Sequence, residues 1–201
     1  MAAFTTVEGI AAPLPAANID TDVIMPKQFL KGITRGGLDR GLLHDLRFDE
    51  EGQPRSDFIL NQPAWQGASF LVVGDNFGCG SSREHAVWGL MQYGVRALIG
   101  TSYAGIFFDN CARNGLLAIT LPAADVAALQ ACAAQPYSNR LRIDLARQTI
   151  EAAGLAIHFD IDPLRKQALL LGLDAVGQTL ALRDDILAFQ QRHFEANPWL
   201  R

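Results

Sequence analysis

Between Ala68 and Ala134 the chain switches repeatedly between two hydrophobic periods, and no other feature narrows its fold as far. Short apolar runs rich in β-branched residues, at 69–73, 97–100 and 116–121, read as strands buried on both faces. Between them, residues 83–93 carry Ala86, Val87, Leu90 and Met91 at the spacing of one helical face. A second helix is predicted over 103–113, closed by Gly115, and an alanine-rich third over 122–134, opened by Pro122. Strand and helix in alternation predict an α/β protein with a parallel sheet core.

Downstream, 141–145, 149–152 and 155–159 read as short antiparallel strands joined by turns, followed by helices near 163–172 and 183–195. The first third is different. Pro13, Pro15, Pro26 and the glycine-rich stretch 32–37 break it into loops, and the short apolar runs between them read as further strands. A length of 201 residues, nearly half of them hydrophobic, suits a single domain over 1–201. The segment from about 163 to 201 is expected to pack on it as a helical extension.

Where the first strand of the alternating region meets its helix lies Gly74-Asp75-Asn76-Phe77-Gly78-Cys79-Gly80-Ser81-Ser82-Arg83-Glu84-His85-Ala86. Two readings compete for this turn. Ser81-Ser82-Arg83-Glu84 fits the capping box that begins many helices with no function attached. The same residues fit an anion site, with glycines that let a ligand approach the backbone, unpaired N–H groups, and two hydroxyls beside a guanidinium. Arg83 favours the second reading, because a cation in the first helical turn opposes the helix dipole unless an anion lies between them. Other glycine loops fit less well. A dinucleotide fingerprint needs glycine where Arg83 stands, no Gly-Lys-Ser/Thr triplet occurs, and a nucleophile elbow needs glycine where Glu84 stands.

Charge and cysteine content bound the partners. A net charge of -4 and a pI near 5.5 leave no basic footprint for nucleic acid or for an anionic membrane. The N-terminus lacks a basic region followed by an apolar core, and no stretch reaches the ~18 apolar residues of a membrane span, so a cytoplasmic location is expected. Cys79, Cys111 and Cys132 are few, odd in number and without a Cys-x-x-Cys pair, which suits a reducing compartment. Cys111 and Cys132 fall in predicted helices and read as small buried apolar groups. His44, His85, His158 and His193 show no metal-ligand spacing.

The run Asn76 to Ala86 resembles the signature of the swivel domain of the aconitase family. A second stretch, Asn18-Ile19-Asp20-Thr21-Asp22-Val23-Ile24-Met25-Pro26, resembles the segment near the start of the same domain, and the similarity continues through 57–63 and 114–117. The resemblance implies β/β/α layers around a parallel sheet core, and a hydro-lyase active only with a large subunit. That partner would carry the 4Fe-4S cluster, with no cofactor or metal bound by this chain. The implied reaction removes water from a small alkylmalate and returns it one carbon away, interconverting 2- and 3-isopropylmalate in leucine biosynthesis, with citramalate or dimethylmalate as rival substrates. By resemblance Ser81 is the catalytic base, acting as an alkoxide held by backbone N–H groups of the turn, and Asp22 orients the site. Ser82 and Arg83 would bind a substrate carboxylate.

The loop after Pro26 is expected to set specificity, with Leu30 against the isopropyl group and Lys31 or Arg35 at the distal carboxylate; the bland reading of both cations is a solvated loop. Asp22 likewise has a bland reading, as an Asx residue forming a turn. Glu84 reads as a helix cap and His85 as structural. Three places depart from the family pattern: Gly36 and Leu38 replace the usual Thr and Phe, Leu46 a Trp, and Val87 a Pro. Apart from the resemblance, the turn equally suits an anion-binding module that leaves its ligand unchanged.

Overall fold

The computed structural model describes residues 1–31 and 36–200. In chain order the elements are β1 (Thr6–Leu14), α1 (Thr21–Ile24), α2 (His44–Arg47), β2 (Phe70–Val73), α3 (His85–Tyr93), β3 (Ala97–Gly100), α4 (Gly105–Asn114), β4 (Leu117–Thr120), α5 (Ala123–Ala133), β5 (Arg140–Asp144), β6 (Thr149–Ala152), β7 (Leu155–His158), α6 (Pro163–Leu171), α7 (Ala175–Leu180) and α8 (Arg183–Ala196). Single 3-10 turns, such as Lys27–Lys31 and Leu38–Gly41, fill much of the remainder.

The strands are ordered β4-β3-β2-β1-β5-β6-β7 in one mixed sheet, and β1 divides it. Its second half, Ala11 to Leu14, pairs in parallel with β2, while its first half, Thr6 to Ile10, pairs antiparallel with β5. Beyond β2 the pairs to β3 and β4 are parallel; beyond β5 the pairs to β6 and β7 are antiparallel. The predicted parallel core thus holds for one half, and the predicted antiparallel strands form the other.

Alternation along each parallel strand sends side chains to two cores. Phe70, Val72, Ala97, Ile99, Leu117 and Ile119 face the antiparallel half, packing with Leu141, Ile143, Ile150 and Ile157 and with residues of α5 and α6. Leu71, Val73 and Leu98 face the other way, against Ala86, Val87 and Leu90 of α3, Phe107 and Cys111 of α4, and the irregular 19–65 segment. The two halves of the sheet enclose one core and helices α3 and α4 cover the other, in keeping with the β/β/α expectation.

Three local expectations are corrected. After β1 the short apolar runs of the first third are helical turns rather than strands, because Ile24, Met25, Leu38, Leu42, Leu43 and Leu60 each insert into one core instead of forming a ladder. The helix α7 was not anticipated; it has six residues with Gly177 inside it, and its visible signal is Asp174, whose carboxylate accepts from Gly177 N. Cys132 is only half-buried, unlike Cys111, which is fully enclosed. In the C-terminal segment, α6 buries Ala168 and Leu169, whereas α7 and α8 bury no residue.

Candidate functional site

The two motifs lie sixty residues apart in sequence and side by side in the structure. Backbone hydrogen bonds lace 18–21 to 75–79: Asn18 N donates to Asp75 O at 2.8 Å, Gly78 N to Ile19 O at 2.8 Å and Thr21 N to Cys79 O at 2.8 Å. Side chains extend the lacing, with Asn76 Nδ2 donating to Asn18 Oδ1 at 2.9 Å. Gly78 has a φ of +77°, and a Cβ there would collide with the ring of Phe107 from α4. Glycine is therefore required twice over at this position, by backbone conformation and by space.

At the end of the lacing the turn opens to solvent. Ser81 and Ser82 are exposed, while the Ser81 main chain is held on both sides. Ser81 N donates to Thr21 Oγ1 at 3.1 Å, and the carbonyl of Ser81 accepts from Thr21 Oγ1 at 3.1 Å and from Arg83 N at 2.9 Å. Arg83 Nη1 pairs with Asp22 Oδ1, and Lys27 Nζ stands 3.8 Å from Asp22 Oδ2. Asp22 thus engages Nη1, one nitrogen of the Arg83 guanidinium.

The capping-box reading fails. The helix α3 starts at His85 with Glu84 as its N-cap, and no side chain caps it. Ser81 is drawn away to Thr21, and the Glu84 carboxylate accepts from Asn114 Nδ2 at 3.1 Å instead of turning back to the helix amides. Asn114 Oδ1 in turn accepts from Trp88 Nε1 at 2.8 Å, and Asn110 Nδ2 reaches the Ser82 carbonyl at 3.4 Å. One face of α4 therefore fastens the start of α3. The turn-forming role considered for Asp22 belongs to its neighbour: Asp20 Oδ1 accepts from Asp22 N at 2.8 Å and Val23 N at 2.7 Å. The expected pool of turn amides is also reduced, since those of Ser81 and Arg83 already donate within the protein.

Of the residues singled out in the sequence, Ser81, Ser82, Arg83 and Asp22 are gathered at one rim. Leu30 and Lys31 take no part in those contacts: Leu30 is half-buried against the α3 core, and Lys31 is exposed at the end of a 3-10 turn. Arg35 lies outside the described residues. Of the departures from the family pattern, Leu38 and Val87 are core residues and Gly36 and Leu46 are exposed, and none of the four is among the rim contacts. Thr21, Lys27, Asn110 and Asn114 were not anticipated as site residues. Thr21 and Lys27 sit in or beside the first motif, which was a usable signal. Asn110 gave none, because a polar residue on a helix ordinarily means solvent, and here it is only 5% exposed.

Comparison with known proteins bears on this arrangement. The model of the aconitase C-terminal domain matches residues 1–124. The chain is 59% identical over 198 residues to 3-isopropylmalate dehydratase small subunit 1 of Mannheimia succiniciproducens, covering 98% of each chain. It is 52% identical over 201 residues to 3-isopropylmalate dehydratase small subunit 2 of Salmonella typhimurium, covering 100% of this chain and 97% of that one. The chain belongs to the 3-isopropylmalate dehydratase small-subunit family. The crystal structure of the 3-isopropylmalate dehydratase LeuD protein of Methanocaldococcus jannaschii shares the fold, with a TM-score of 0.66 at 24% identity over 92% of this chain and 99% of that one.

The resemblance to the aconitase family implies an iron–sulfur cluster for the enzyme, and the three cysteines of this chain do not suit one. Cys111 is fully enclosed and burial pushes its thiol well above the usual range, away from the thiolate a metal needs. Cys79 lies in the site turn with Sγ directed at Asn18 O, and Cys132 lies half-buried in α5, a helix whose Val126, Leu129 and Ala133 belong to the other core. Among the described residues no three His, Cys, Asp or Glu side chains converge. No described helix is long and apolar enough to cross a membrane.

Proposed function

We infer that this chain is the small subunit of a cytoplasmic 3-isopropylmalate dehydratase, a hydro-lyase that isomerises 2-isopropylmalate to 3-isopropylmalate by dehydration and rehydration in leucine biosynthesis. The observation that carries the reading is the rim itself, where Ser81, Ser82 and the Arg83–Asp22 pair are delivered together by two motifs laced across sixty residues.

Dehydration of a 2-hydroxy diacid makes two demands. The departing hydroxyl needs a Lewis acid, which these cysteines do not assemble; that half of the chemistry belongs to a large subunit bearing a 4Fe-4S cluster. The carbon-bound proton beside a carboxylate is weakly acidic, so its base must be strong and the growing charge must be held. Ser81 Oγ, exposed at the rim, takes that proton as an alkoxide. The Arg83 guanidinium and the Ser82 hydroxyl bind the adjoining carboxylate, with charge-assisted bonds that strengthen as negative charge develops. Asp22 fixes the guanidinium and prevents it from collapsing onto Ser81.

The loop after Pro26, with Leu30 and with Lys31 or Arg35, meets the distal half of the substrate. An apolar pocket distinguishes alkyl groups by only about 1–3 kcal/mol per methylene, so citramalate and dimethylmalate are the substrates to compare. The test is anaerobic turnover of the three acids by this chain with a reconstituted large subunit. Isopropylmalate should be preferred, and Ser81→Ala should lower kcat by at least about 10³ with unchanged circular dichroism and unchanged subunit association. Full turnover by Ser81→Ala, or no turnover of any of the three acids, would overturn the reading.

A further inference from the structure

We propose that Thr21 is the positioning residue for Ser81, holding the peptide of the base through a reciprocal pair of hydrogen bonds. The inference rests on the assignment of Ser81 as base, and it adds a residue to the machinery.

Thr21 is only 1% exposed, one of few polar side chains enclosed to that degree, and it stands at the first position of α1. A single hydroxyl both donates and accepts. Here the Ser81 N–H donates to Thr21 Oγ1 at 3.1 Å and the Thr21 O–H donates to the Ser81 carbonyl at 3.1 Å, so one side chain grips both ends of one residue. The grip is itself anchored. Thr21 N donates to Cys79 O at 2.8 Å, Met25 N donates to Thr21 O at 3.0 Å, and Asp20 caps the turn that begins at Thr21.

The consequence for Ser81 is specific. With N–H and C=O both tethered to a buried atom, its backbone has little freedom to rotate, and its exposed side chain is aimed from a fixed base. Gly80, immediately before it, has a φ of +92° and Thr21 Oγ1 lies 3.5 Å from where a Cβ would be, so the chain enters the grip through a flexible residue. Without the hydroxyl nothing in the described contacts replaces the hold on the Ser81 N–H, and a base whose geometry relaxes loses rate before it loses binding. A merely structural threonine would instead affect folding and leave Ser81 unaltered.

Three variants assayed with the large subunit under anaerobic conditions separate these outcomes: Thr21→Val, which keeps shape and removes the hydroxyl; Thr21→Ser, which keeps the hydroxyl; and Ser81→Ala. Thr21→Val should lower kcat roughly 10- to 100-fold with KM changed less than about threefold, and Thr21→Ser should recover to within about threefold of the parent. Amide hydrogen exchange on the folded chain should show the Ser81 N–H losing protection in Thr21→Val and keeping it in Thr21→Ser. Wild-type kcat in Thr21→Val, a Thr21→Ser as slow as Thr21→Val, or unchanged Ser81 protection would each overturn the inference. The reading of Ser81 fails separately, if Ser81→Ala turns over normally. Should Thr21→Val not fold, Thr21→Ser and its exchange profile decide alone: unaltered protection with an unaltered rate supports the hydroxyl as the tether, and lost protection overturns it.

Discussion

The laced turn at 74–84 and the terminal helices α7 and α8 are opposites. In the turn several polar groups are answered from far away in sequence: Thr21 answers the Ser81 main chain, Asn18 answers Asn76, Asn114 answers Glu84. Along α7 and α8 the described hydrogen bonds are local, as in Asp174 to Gly177, Thr179 to Ala175 and Gln191 to Glu195, while Val176, Leu180, Leu182 and Phe189 are exposed. Local periodicity was enough to place α8. It could not place Ser81, because a long-range partner overrode the capping signal. The difference teaches that an irregular turn is specified by what it is laced to, and a helix by what it repeats.

That comparison is open to attack at several strengths. The largest effect on stability should come from Gly78→Ala, which forces a side chain into the Phe107 ring at a positive φ; the turn should lose about 2–4 kcal/mol in urea unfolding, and a loss below about 0.5 kcal/mol would show the turn to be held less firmly than its contacts imply. Next comes Asp22→Asn, which leaves Arg83 without its ion partner. Its kcat/KM with the large subunit should fall roughly 10- to 100-fold, and a wild-type value would remove Asp22 from the site. Smaller again is Asn114→Ala, which removes the bonds Asn114 makes to Glu84 and to Trp88 and should cost about 1–2 kcal/mol in urea unfolding. The smallest is Phe189→Ser in α8, where the isolated chain should change by less than about 0.5 kcal/mol. A cost above about 1.5 kcal/mol there would mean that α8 is packed after all, and the contrast would collapse.

Much of the architecture was legible from residues alone. The predicted strand 97–100 coincides with β3 and 149–152 with β6, and the remaining strands and helices from Phe70 onward lie within a few residues of expectation, apart from α7. Those segments either repeat with a fixed period or are bounded by Gly115, Pro122 and Pro163, so their signal is local. The first third misled because isolated apolar residues there are anchors for irregular backbone, and a run such as Leu42-Leu43 looks the same whether it forms a ladder or plugs a core. Ser81, Ser82 and Arg83 stood out as a hydroxyl-rich turn and Asp22 through resemblance, and Thr21 was marked only by its place in the first motif; Asn110 left no mark, since nothing in a linear pattern says which polar side chain will be buried.

The sequence by itself determined the alternation that builds the parallel half, the antiparallel strands that follow, the glycines that a tight turn requires, and the family signature around Ser81. Only the tertiary structure decided that β1 would serve both halves of the sheet, that Thr21 would displace the helix cap by taking the Ser81 peptide, and that Asp22 would engage Nη1 of Arg83. The physical reason is one of range. Periodicity and turn chemistry act over a few residues and leave their mark in order along the chain, whereas a hydrogen bond or ion pair between residues sixty apart exists only once packing has brought them together.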